Sequence, residues 1–125
     1  MNTTLTVKPG SASDGFERVR LSVAHGQDIH FVGRVIAEYT TQNSGGTKNR
    51  WTELRVWQTE GGAWIAESVG ASDAGREIDI VEATVIDADT PEQDKRLAVM
   101  AAFNWTTAAK AMARLHKWDV RRVVL

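Results

Sequence analysis

Residues 50–70, RWTELRVWQTEGGAWIAESVG, decide the fold. They hold three of the chain's five Trp residues, and two β-rich runs, 51–57 and 63–69, flank Gly61-Gly62. Glycine tolerates the positive φ that tight hairpin turns demand, so the stretch reads as a β-hairpin. A two-residue Gly-Gly turn pairs Glu60 with Ala63. It sets Leu54 opposite Val69 and Val56 opposite Glu67 on one face, with Trp57 opposite Ala66 and Thr59 opposite Trp64 on the other. Neither face is cleanly polar. The hairpin is therefore covered on both sides, or else it leaves an aromatic face open, and the side on which the rest of the chain packs decides between them.

Upstream, alternation over 18–23 puts Val19, Leu21 and Val23 on one face of a half-buried strand. A second strand places Ile29, Phe31, Val35, Ala37 and Tyr39 on a single face. If these odd-numbered sets share a face, Val23 meets Ile29 across a loop of His25-Gly26-Gln27, and Gly33 opposes Val19 as a bulge or point of close approach. Residues 40–49, TTQNSGGTKN, lack a large apolar anchor and read as a loop. Gly45-Gly46-Thr47-Lys48 is not a phosphate-binding loop, because the Gly-Lys-Ser/Thr order is missing and a strand follows. Residues 1–15 combine a short strand at 4–8 with a Pro-Gly and Ser-rich connection, and are expected to be partly mobile.

Downstream, residues 76–86 form a further strand whose apolar phase changes, which a bulge near Val81 reconciles. Thr90-Pro91-Glu92-Gln93 reads as a capping box with Pro at the first helical position. The helix it opens has Leu97, Met100 and Ala101 as its apolar face, flanked by Val99 and Phe103. Asn104-Trp105 interrupts it, and Thr106 or Asn104 caps a second helix to about His116 with Ala108, Ala111, Met112 and Leu115 on one side. VRRVVL, 120–125, is β-rich and reads as a last strand.

The expected architecture is an α+β single domain over 1–125. An antiparallel β-sheet of about five or six strands occupies 16–90, a C-terminal helix pair packed on one face occupies 91–118, and a possible last strand occupies 119–125. The chain has 125 residues and no Cys, which removes thiolate nucleophiles, disulfides and Cys-based zinc sites. No signal-peptide pattern opens it and no run of eighteen apolar residues interrupts it, so a cytoplasmic protein without a membrane partner is expected. Charge divides at Pro91. Residues 1–90 carry 8 Lys/Arg against 13 Asp/Glu, and residues 91–125 carry 7 against 3, so the two parts have opposite signs.

Three surfaces compete as sites. Lys110, Arg114 and Lys117, spaced i, i+4, i+7, share a helix face that Arg121 and Arg122 continue. Such a stripe suits phosphates or is simply a solvated face. The acidic set Asp73, Glu77, Asp79, Glu82, Asp87 and Asp89 suits a basic partner or solvent, and Asp87 and Asp89 lie beside a helix start that explains acids without a metal. Trp51 and Trp57 share a strand face with Glu53 and Arg55; this is an exposed patch suited to a protein interface or to base stacking, or else part of the core. No catalytic motif is present, His25, His30 and His116 show no ligand spacing, and no cofactor or metal is implied. Small size, missing Cys and a Trp-rich sheet are similar to small accessory proteins of bacteria and their mobile elements, including phage-like ones.

The expected function is that of a non-enzymatic interaction protein, an inhibitor or accessory protein, docking a protein partner through Trp51, Glu53, Arg55, Trp57, Asn43 and Lys48. The alternative is nucleic-acid binding through Lys110, Arg114, Lys117, Arg121 and Arg122. Self-association as a homodimer is a further partner possibility, and an enzyme acting on a small molecule stands third.

Overall fold

The computed structural model describes residues 15–73 and 79–125. Within them the strands are β1 (Glu17–Leu21), β2 (Ile29–Thr40), β3 (Arg50–Thr59), β4 (Trp64–Ser72) and β5 (Ile80–Ile86). Two helices follow, α1 (Glu92–Ala102) and α2 (Thr107–Leu115). The strands form one antiparallel sheet in chain order, so the α+β architecture is as expected. The expected strand at 4–8 and the first residues of the one at 76–86 lie outside the described residues.

The helix pair packs on the sheet face of Leu54 and Val56, where Ala37, Trp64, Ala66 and Ile86 meet Val99, Met100, Phe103, Ala109, Met112 and Ala113 in one buried cluster. The face of Trp51, Glu53, Arg55 and Trp57 is therefore not beneath the helices. It is not an open plane either, because the sheet curls on itself. The Ala24 amide, just past β1, donates to the Val81 carbonyl at 2.8 Å in β5, and His25 Nδ1 lies 3.1 Å from Glu82 Oε2. Leu21, Ile65, Glu67, Val69 and Ala71 are buried on this inner face, and Phe31 meets Trp57 edge-on with ring centroids 5.5 Å apart. Two apolar layers thus share β3 and β4 as a common wall.

Several local expectations shift. In the central hairpin Thr59 and Ala63 close a three-residue loop, with the Thr59 amide donating to the Ala63 carbonyl at 2.8 Å and Gly62 at φ 94°. A type I turn followed by a left-handed Gly adds one residue to the expected loop. The register therefore moves by one, and Arg55 faces Glu67, Val56 faces Ala66 and Trp57 faces Ile65. In the first hairpin Leu21, not Val23, faces Ile29, and Gly33 faces Glu17. The Val23 amide goes instead to Asp28 Oδ1 at 3.1 Å, which together with the Ala24–Val81 bond widens the loop.

A register shift between Val35 and Ala37 divides β2, so Ala37 and Tyr39 join the helix-covered face while Phe31 and Val35 stay on the inner one. No bulge interrupts β5, whose register with β4 is continuous from Ile80 to Ile86. The N-cap of α1 is Pro91, without a side-chain capping bond, because its extended ψ of 149° leaves Thr90 one residue too far out. The buried side of α1 is Lys95, Val99 and Met100 rather than Leu97 and Ala101, and that of α2 is Ala109, Met112 and Ala113, with Leu115 exposed. Residues 120–125 form no strand.

Gly33 has a strict reason to be glycine. A Cβ there would lie 2.7 Å from Phe31 Cε2 and 2.8 Å from the Gln58 carbonyl oxygen. The Phe31 ring lies over the bare backbone, two residues away on the same face. Gly33→Ala is expected to destabilise the fold by about 1–3 kcal/mol, because the ring must move off Trp57 or the strand must shift. Urea denaturation checks this, and a loss of less than about 0.5 kcal/mol would show that the contact relaxes freely.

Candidate functional site

The helix pair builds a groove on its outer side. Thr106 starts α2, its hydroxyl accepting the Ala109 amide at 3.2 Å. From there the helical period turns Ala109, Met112 and Ala113 into the core and leaves Lys110 and Arg114 exposed. The helix ends in a Schellman motif: the Trp118 amide donates to the Ala113 carbonyl at 2.8 Å, and the Lys117 amide to the Arg114 carbonyl at 3.2 Å. Lys117 sits at φ 60° in the position that glycine ordinarily fills.

The end of α1 repeats the motif. The Trp105 amide donates to the Met100 carbonyl at 2.9 Å and the Asn104 amide to the Ala101 carbonyl at 3.0 Å. Asn104 has φ 58° and Trp105 has φ 52°. Asn tolerates this region, but a bulky aromatic there is a backbone outlier, at a cost of about 1–2 kcal/mol. Trp105 nevertheless remains 42% exposed.

Trp105, Lys110, Arg114, Lys117, Trp118 and Arg121 line a common groove of about 630 Å³. Lys110, Arg114 and Lys117 have no ion-pair partner among the described residues. Arg121 is engaged, holding Asp119 through Nε and Nη2 at 2.9 Å each. The side-chain bonds from Arg121, and then its amide, draw the Asp119 carboxyl down to about 2. Asp119 therefore keeps its charge at any ordinary pH, and the contact is lost only as pH falls through about 2. Trp118 stacks on Trp64 with centroids 5.8 Å apart, and Arg96 approaches its ring at 5.7 Å, so this indole is a wall of the groove. Of the basic set expected from spacing, Arg122 alone does not line it.

The Trp51 side is organised differently. Trp57 Nε1 donates to Glu67 Oε1 at 2.8 Å, and Arg55 Nη1 lies 3.4 Å from the same oxygen. Arg55 Nη2 reaches Glu53 Oε1 at 2.6 Å, and Trp51 Nε1 donates to Glu53 Oε2 at 2.8 Å. The four residues thus form one network closed by Glu67, which is only 4% exposed. Spacing did not single out Glu67, since the shifted register is what puts it opposite Arg55.

Trp51, Glu53 and Arg55 also line a second groove of about 550 Å³ with Glu38, Gln42 and Leu115. Asn43 and Lys48 do not line it but bond within the adjoining loop, Asn43 Nδ2 to Thr47 Oγ1 at 2.6 Å and Lys48 Nζ to the Thr41 carbonyl at 2.6 Å. Among the described residues no three His, Asp or Glu side chains converge as a metal site requires, and no helix is long and apolar enough to cross a membrane.

Trp105 is the residue that sequence reasoning left without a function. Its only sequence signal is its place after Asn at a helix end. Compared with known protein families, curated proteins and solved structures, the chain matches none.

Proposed function

We infer that this protein is a binding module for single-stranded nucleic acid, taken up in the groove of Trp105, Lys110, Arg114 and Lys117. What supports the reading most is the location of unfavourable backbone geometry. Two positions in the left-handed region carry an exposed Trp and a Lys with no ion-pair partner among the described residues, and both face the groove. Strained residues of this kind persist where the surroundings hold them for a task. Lys110, Arg114 and Lys117 suit phosphates, and the exposed indole suits a base not already stacked on a neighbour, which favours a single strand over a duplex.

Fluorescence anisotropy with a labelled oligonucleotide of roughly 10–20 bases tests the reading across a salt series. Three phosphate contacts to a single strand predict a log–log salt slope of about −2. Trp105→Ala is expected to weaken binding roughly 5- to 100-fold with that slope unchanged, whereas Lys110→Gln flattens the slope by about 0.7. Lys117→Gly separates fold from function: relief of the left-handed strain raises stability by about 1 kcal/mol while binding weakens. Absence of binding at low salt, or equal affinity for duplex, overturns the reading.

A second reading, docking of a protein partner, is favoured by the groove beside Trp51, Glu53 and Arg55. Trp51→Ala and Trp57→Ala variants that stay folded and still bind a captured partner as wild type does would remove it.

A further inference from the structure

We propose that this protein pairs with a second copy of itself, the segment 120–125 of each copy adding as a strand to the free edge of β5 in the other. The proposal stands apart from the nucleic-acid reading and starts from backbone accounting. Thr59 and Ala63 are bonded across β3 and β4, so by the two-residue period Ile65, Glu67 and Val69 direct their amides and carbonyls toward β3. Trp64, Ala66, Ser68 and Gly70 then direct theirs toward β5, where their partners are Ile86, Thr84, Glu82 and Ile80. Val81, Ala83 and Val85 therefore point their backbone groups outward. The Val81 carbonyl is taken by Ala24, which among the described residues leaves Ala83 and Val85 as the open stretch of the edge.

Native edges are ordinarily blunted by Pro, a bulge or several charges. β5 has no Pro and no bulge, and Ile80 and Val85 are each 54% exposed along it. The second half of the fit is the segment VRRVVL. Its start is fixed, since Gln93 Nε2 donates to the Asp119 carbonyl at 2.7 Å and Val120 packs against the helix–sheet cluster. Beyond that point Val123 and Val124 are 73% and 75% exposed in a non-helical run of high β propensity that pairs with no described strand.

Charge selects the occupant. Residues 79–89 contain Asp79, Glu82, Asp87 and Asp89 and no Lys or Arg, whereas 120–125 contains Arg122, which has no ion-pair partner among the described residues, beside Arg121, which holds Asp119. Pairing β5 with β5 of a second copy would set the same acids against one another, and like charges across a strand pair destabilise it. Pairing β5 with the basic, apolar segment sets opposite charges side by side and covers Val85 with Val123 or Val124. The exchange is reciprocal, so two copies related by a two-fold axis satisfy both edges and leave neither segment exposed.

Sedimentation equilibrium on the full chain at about 100 μM, roughly tenfold above a dissociation constant on the order of 10 μM, is expected to give a weight-average mass that approaches, without reaching, twice the 13.8 kDa of one chain. Deleting residues 123–125, which are exposed, is expected to return the protein to a monomer without changing its unfolding midpoint at high dilution. Ala83→Pro removes the outward amide while sparing the bonds to β4, and is also expected to be monomeric. The decisive arm mixes the two: the deletion variant retains the edge and Ala83→Pro retains the segment, so together they form a heterodimer through one exchange. A monomeric full chain, a dimer that survives the deletion, or a mixture that stays monomeric overturns the proposal. If Ala83→Pro does not fold, Val85→Lys takes its place in the mixture, because it sets a charge against the apolar Val123 or Val124 next to Arg122.

Discussion

Trp64→Ala is expected to lower the free energy of unfolding by about 3–5 kcal/mol, the range for removing a buried Trp. Trp64 stands on β4 facing the helices and is buried at the seam between the sheet and both later elements. It carries Trp118 stacked at 5.8 Å and Lys95 Nζ at 5.7 Å from its ring. Its removal therefore opens a cavity and releases the residue that anchors the chain after α2. The consequence reaches the groove, because Trp118 is one of its walls. Trp64→Phe keeps most of the area and is expected to cost about 1–2 kcal/mol. Urea titration followed by circular dichroism reads both, and a loss near 1 kcal/mol for Ala would mean that the helices pack without this ring.

Glu67→Ala is expected to cost about 3 kcal/mol, for a different reason. The Glu67 carboxylate is buried on the inner face and takes the Trp57 indole proton while facing Arg55. Truncation leaves the indole N–H without its acceptor and removes one of two carboxylates beside a half-buried guanidinium. Arg55 retains Glu53 at 2.6 Å, which holds the loss at the lower end of the range for a broken buried pair. Glu67→Gln still accepts from Trp57 and is expected to lose only about 1 kcal/mol. Paired denaturation curves for the two variants check the ordering. Equal losses would assign the effect to charge alone, and a neutral Glu67→Ala would show that the inner face admits water.

The fold class was legible because its signals are local. Alternation, the Gly61-Gly62 turn and Pro91 mark strands and helix starts without reference to the rest of the chain. Registers were less legible, because one left-handed glycine at Gly62 or one irregularity at Ile36 moves every later pairing by a residue, and alternation is silent about both. Faces suffer in turn. Leu115 has helical spacing with Met112, yet it is exposed and lines the second groove beside Tyr39 and Leu54. The basic stripe Lys110, Arg114 and Lys117 was readable from spacing, but its aromatic companion was not. Trp105 is aimed by backbone angles that depend on two helices closing against each other, and no residue pattern encodes that closure.

The strand order has a consequence for how the chain folds. Each strand lies beside its sequence neighbours, so the sheet can grow outward from the β3–β4 hairpin through short loop closures, which are fast. Docking α2 onto β2 is a much longer reach, joining residues 78 positions apart at Glu38 and His116. The helix pair is therefore expected to settle after the sheet, and weakening its seam should mainly speed unfolding rather than slow refolding. The groove of Trp105, Lys110, Arg114 and Lys117 would then be the last part of the molecule to form and the first to be lost.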